Sequence, residues 1–119
     1  MMKIGVRKMG TNYYAVSKEP TVKSHIHIGK SSIGWKFLFH RVSAWENWVT
    51  EEAINTYPQW IKFLEDNKDR IIIMNEYDET VTLEELKAIV ERKQKETNED
   101  NFTCADNIDG YRFTDGEFC

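Results

Sequence analysis

Cysteine, proline and glycine are all scarce: two, two and six residues in a chain of 119. The two thiols, Cys104 and Cys119, stand far apart near the end, with none of the tight spacing of a metal knuckle or redox motif. In a reducing cytoplasm they are expected to be free. No low-complexity tract and no internal repeat is present. No apolar run approaches the ~20 residues of a membrane span, so no membrane partner is expected. The opening MMKIGVRKMG lacks the apolar centre of a signal peptide, which points to a cytoplasmic protein.

What is abundant is apolar and aromatic surface. Hydrophobic residues make up 40% of the chain and aromatic ones 13%, as in a folded globular protein and unlike a disordered one. The length suits a single domain, assigned to residues 9–119, with the basic segment 1–8 as an N-terminal extension. Charge is unevenly spread. Residues 1–42 carry a net +7 and residues 43–119 a net −11, within a total of −4. A positive first third on an acidic body can attract an anion, or the two parts can attract each other within one fold.

The stretch Ser24 to Val42, SHIHIGKSSIGWKFLFHRV, is the centre of the reading. It has the pattern of a β-hairpin: an alternating strand around His25 to Ile28, a turn from Gly29 to Gly34, and an aromatic return through Trp35, Phe37 and Phe39. Burial sorts the faces. Ile26 and Ile28 belong with Trp35, Phe37 and Phe39, which leaves His25 and His27 on the other face beside Lys36, Leu38 and His40.

Around the hairpin, Gly10 to Val16 has strand propensity, and Ser17 to Lys23, with Pro20, reads as a loop. Ser43 and Glu46 form a capping-box pattern that predicts a short helix from Ala44. Thr56 and Gln59, with Pro58 in the first turn, predict a helix over 57–67. Arg70 to Tyr77 contains a run apolar enough for a central strand buried on both faces. Asp78-Glu79 is a turn and Thr80-Val81 a short return. Thr82 and Glu85 cap a helix reaching about Lys95, with charges that complement its dipole. Thr97 to Asp109 reads as an acidic loop, and Tyr111 to Phe113 as a last strand. This order predicts an α+β fold, a mostly antiparallel sheet with two or three helices packed on one face.

Several groups can carry chemistry. Gly29-Lys30-Ser31 resembles the end of a phosphate-binding loop, but the required upstream glycine is Ser24, and the setting is a hairpin. An NTPase is therefore excluded. A simpler anion site remains, with the ammonium of Lys30, the hydroxyls of Ser31 and Ser32, and nearby backbone N–H groups. His25-x-His27 on a strand, with His40, has usable zinc geometry, but a further ligand would have to come from Cys104, Cys119 or Glu76. No metal and no cofactor is expected. His27 and His40, oriented by Glu76, also suit proton transfer in a small phosphoester hydrolase or lyase. Tyr14 and Trp35, with Tyr13 and Tyr77, are the aromatics placed to stack on a base, whereas Trp48 and Trp60 have core spacing. The acidic body disfavours nucleic acid as a partner. The long apolar strand and aromatic hairpin leave homo-oligomers open.

Three strings carry a resemblance: Met9-Gly10-Thr11-Asn12-Tyr13-Tyr14, the block His27 to Ser32 with Gly34, Trp35, Phe37 and His40, and the ending Asp109-Gly110 through Phe113 to Gly116-Glu117-Phe118. On these, the chain resembles a family of small, mostly uncharacterised bacteriophage proteins. Chains of that family commonly begin at the position of Met9. Many carry a Cys-x-x-Cys just before the histidine block, where this chain has Ser17 to Ser24 and no cysteine. The resemblance implies a phage accessory protein in a bacterial host cytoplasm. By analogy with such proteins the expected role is anti-defence, acting by binding rather than catalysis. The expected ligand is a phosphate-bearing small molecule such as a defence-signalling nucleotide, held by Tyr14, His27, Lys30, Ser31, Ser32, Trp35 and His40. The alternative partner is a host defence protein, inhibited in the anti-CRISPR manner through the acidic surface of residues 99–119.

Overall fold

The computed structural model describes residues 10–19, 24–32, 36–95, 105–108 and 110–114. The extension 1–8, Pro20, Trp35, Cys104, Cys119 and most of the acidic segment 99–119 lie outside the described residues. The fold is α+β. Seven strands, β1 (Thr11–Ser17), β2 (His25–Ser31), β3 (Leu38–His40), β4 (Ile71–Asn75), β5 (Thr80–Val81), β6 (Ala105–Ile108) and β7 (Tyr111–Thr114), form one sheet. Their order is β5-β4-β1-β2-β3-β7-β6. Every pairing is antiparallel except β3 with β7, so the sheet is mixed but mostly antiparallel, as expected.

Two helices are described, α1 (Tyr57–Asp66) and α2 (Leu83–Lys93). Both start as the sequence predicts. Thr56 and Thr82 each accept from the backbone N–H three residues on, and Gln59 and Glu85 reach back to the cap, so two orphan donors are satisfied at the N-terminus of each helix. Both helices contribute to the same core. Trp60, Phe63 and Leu64 from α1 and Leu86 and Val90 from α2 join Tyr13, Ala15, Ile26, Ile28, Phe39, Ile73 and Phe113 from the sheet. Each fully buried phenylalanine contributes roughly 1.5–3 kcal/mol of transfer free energy. Trp60 also donates its Nε1–H to the carbonyl of His40 at 3.1 Å, which ties α1 to β3. Next to this contact Tyr57 stacks on Tyr111 with ring centres 4.3 Å apart. Burial, and after it the Glu91 carboxylate, push the Tyr57 phenol up to about 12.

The helix expected from Ala44 is replaced by two successive turns. Its capping contact does form: the Ser43 N–H and hydroxyl both donate to Glu46 Oε1 at 2.9 Å, which holds the Glu46 carboxyl below its usual range. The buried side chain of Asn47 then takes over the local backbone groups. Its Oδ1 accepts from the N–H groups of Val49 (3.0 Å) and Thr50 (3.1 Å), and its Nδ2 donates to Thr50 Oγ1 (2.7 Å) and the Glu52 carbonyl (2.8 Å). A side chain that satisfies the local backbone removes the reason to continue a helix.

The apolar strand is likewise not buried on both faces. In β4, Ile71 and Ile73 are buried while Ile72 and Met74 are half-exposed, because the helices cover one side of the sheet only. The segment expected to be a loop over 97–109 contains the edge strand β6.

Candidate functional site

The face turned away from the helices carries the histidines. Register explains how they meet. Along β1 and β2, Val16 pairs with His25, Ala15 with Ile26 and Tyr14 with His27, but Tyr13 pairs with Gly29. Ile28 is therefore an extra residue, a β-bulge that resets the alternation. Before it, His25 and His27 share a face with Tyr14. After it, Gly29 falls on the core face opposite Phe39, and Lys30 returns to the histidine face opposite Asn12 and Leu38. Both Ile26 and Ile28 stay buried.

Gly29 is demanded by this packing. A Cβ there would collide with the carbonyl of Leu38 and lie 2.5 Å from the Phe37 ring and 3.0 Å from the Phe39 Cα. Gly10, at φ +120°, crosses equally tightly over the end of β2; a Cβ there would lie 2.8 Å from the Ser31 carbonyl and 3.0 Å from Ser32 Oγ.

The result is a row of rings across three strands. Tyr14 meets His25 edge-on with centres 5.1 Å apart and stacks on His27 at 5.0 Å. His27 lies 5.2 Å from His40. His27 is buried, at 9% exposure, whereas Tyr14 and His40 are half-buried and His25 is exposed. His27 is the inner member, and the others present the surface.

His27 is oriented through a residue that the sequence reading passed over, Asn12. Glu76 Oε1 accepts from the Asn12 backbone N–H at 2.6 Å and from Asn12 Nδ2 at 2.9 Å. That fixes the amide, since turning it over would set its oxygen against the carboxylate. The amide oxygen then lies 2.9 Å from His27 Nε2, so Nε2 carries the proton. Glu76, expected to orient a histidine directly, does so one amide removed. An Asn two residues before a tyrosine on an alternating strand places it on the same face, and that was the signal available in the sequence.

Lys30 is on this face by register. Ser31 pairs with Thr11 and alternates toward the core side, and the Ser32 carbonyl accepts from Lys93 Nζ of α2 at 2.7 Å. β2 continues through Ser31, so the backbone from Gly29 to Ser31, expected to begin the turn, is within a paired strand rather than curled around an anion.

Beside Tyr14 and His25 is a cleft of about 370 Å³. Val16 and Met74 floor it from adjacent strands, and Glu76 and Asp78 line it from the turn after β4. Asn75 holds that turn: its Oδ1 accepts from the N–H groups of Tyr77 (2.9 Å) and Glu79 (3.0 Å), and its Nδ2 donates to Glu79 Oε1 at 2.7 Å. Asp78 is thereby kept at φ +64°. A second cleft, near Lys62 and Phe63, contains an ammonium already bound to Asp66 at 2.6 Å.

Among the described residues no group of three or more His, Cys, Asp or Glu side chains is placed to hold a metal ion, and no helix is long and apolar enough to cross a membrane. No protein-family model, curated protein or solved structure matches the chain.

Proposed function

We propose that the protein is a phage accessory protein that acts by binding a phosphate-bearing small molecule of nucleotide size on the uncovered face of its sheet. The observation that carries this reading is the row of rings His25, Tyr14, His27 and His40, which runs into a cleft on one side and shares its face of the sheet with Lys30. The strands from β4 to β3 are three spacings apart, roughly 14 Å at the usual separation. That span accommodates a ring in the cleft and a phosphate over β2 and β3.

In this arrangement Tyr14 and His25 contact the heterocycle, and Lys30 and His40 donate to the phosphate through charge-assisted hydrogen bonds. His27 supports both as the buried, fixed centre of the row. A supporting role for His27 is favoured over proton transfer, because its Nε2 is committed to Asn12 and its Nδ1 is buried. Sequestering a defence-signalling nucleotide is the role that fits this site and the resemblance to phage proteins together. Calorimetric titration with 5′-mononucleotides and the matching nucleosides tests it. Nucleotides are expected to bind at least tenfold tighter than nucleosides, and the Lys30→Ala/His40→Ala double variant to lose that advantage. Equal affinity for nucleoside and nucleotide would sink the proposal.

A further inference from the structure

The chemistry of the cleft is asymmetric. Its aromatic side, Tyr14 and His25, can receive any planar ring. Its other side presents two carboxylates, Glu76 and Asp78, which are acceptors only when ionised. The Glu76 carboxylate is set in place before any ligand arrives, and so is the backbone that carries Asp78. Glu76 is held by two hydrogen bonds from Asn12, and its own N–H donates to the Asn12 carbonyl at 3.0 Å. Asp78 N–H donates to the Asn75 carbonyl at 3.1 Å, within the turn that the Asn75 side chain closes. An acceptor wall against a stacking platform discriminates between rings by their donors, because a carbonyl facing a carboxylate is repelled and an amino group is bound.

We infer that the cleft selects heterocycles that bear an exocyclic amino group, and rejects their oxo counterparts. This inference rests on the binding reading above and names its ligand class. Guanine is the strongest fit, since its ring N–H and amino group together match the two oxygens of one carboxylate. Cytosine and adenine offer one amino group each. The phosphate is recognised elsewhere, over Lys30 and His40, so the two preferences are separable. The carboxylates also explain how an anionic ligand is oriented: they repel its phosphate end and leave the ring as the part that enters the cleft.

Matched nucleotides test this without changing the phosphate. GMP and IMP differ by the 2-amino group, and CMP and UMP by amino against oxo. Titrated into the wild-type protein up to millimolar concentration, the amino-bearing member of the GMP/IMP and CMP/UMP pairs is expected to bind at least tenfold tighter. Asp78→Asn keeps the size of the side chain and suits the left-handed backbone at that position. It is expected to bring both ratios below about threefold, with circular dichroism and urea midpoint unchanged. Glu76→Gln serves as a second variant, with the His27 tautomer read alongside. Equal affinities within both pairs for the wild type would overturn the selectivity and leave nucleotide binding standing. Tighter binding of IMP and UMP would also overturn it. No binding of any of the four would remove this inference and the function on which it rests.

Discussion

Replacing Asn12 by alanine isolates the device that orients the site. The amide makes a part-buried contact with His27 Nε2 at 2.9 Å and an exposed one with Glu76 at 2.9 Å. Losing the exposed bond costs little, because water replaces it. Losing the other leaves a donor on a side chain that is only 9% exposed, and an unsatisfied buried donor costs about 1–3 kcal/mol. The backbone bond from residue 12 to Glu76 survives the change. The expected loss is therefore about 2 kcal/mol, or roughly 6–12 °C in Tm for a domain of this size. Urea unfolding followed by circular dichroism measures it, and the slope should be unchanged because the same surface is exposed. Long-range nitrogen–proton correlation spectra supply a readout that stability alone does not: wild-type His27 should carry its proton on Nε2, and Asn12→Ala should give a mixture of tautomers. A variant within 0.5 kcal/mol of wild type that keeps a pure Nε2 tautomer would refute the reasoning.

Other outcomes follow from the same contacts. Asn47→Ala removes four side-chain bonds around a fully buried amide and should cost about 2–4 kcal/mol by urea unfolding; a loss under 1 kcal/mol would mean that the two turns do not depend on it. Gly29→Ala forces β2 and β3 apart and should cost about 1–3 kcal/mol or more, with His27–His40 contacts weakened in nuclear Overhauser spectra. The Tyr57 phenol is raised from 10.0 to about 12, so the fold favours its neutral form. Its contribution to stability is complete below pH 10 and is lost as pH rises through about 12. Burial also raises Tyr13 and Tyr111, so absorbance at the phenolate band should show late-titrating tyrosines, of which the latest titrates normally in denaturant and is absent in Tyr57→Phe.

Much of this architecture was legible because local rules agreed with the global fold. The caps at Thr56 and Thr82, the Pro58 entry, and the sorting of Ile26 from His27 each depend on a few neighbouring residues. The features that escaped are non-local. Ser43 and Glu46 make their bonds, yet no helix follows, because Asn47 is buried by packing that no local pattern reveals. The bulge at Ile28 depends on which β1 residue faces Gly29, and one inserted residue changes the face of everything after it. That shift brings Lys30 to the histidines and takes Ser31 away. Ile71 to Asn75 has the composition of a doubly buried strand, but its second face is where the cleft forms. Asn12 could be placed on the face of Tyr14 by alternation alone; its role exists only because Glu76, 64 residues later, lies beside it.

Native mass spectrometry of the protein purified gently from bacterial cytoplasm tests the central claim most directly. A 1:1 adduct whose fragments contain phosphate and a nucleobase is expected on the wild type and should be missing from Lys30→Ala/His40→Ala. The same unliganded mass for both proteins, with wild type still unliganded after incubation with a bacterial nucleotide extract, would contradict it.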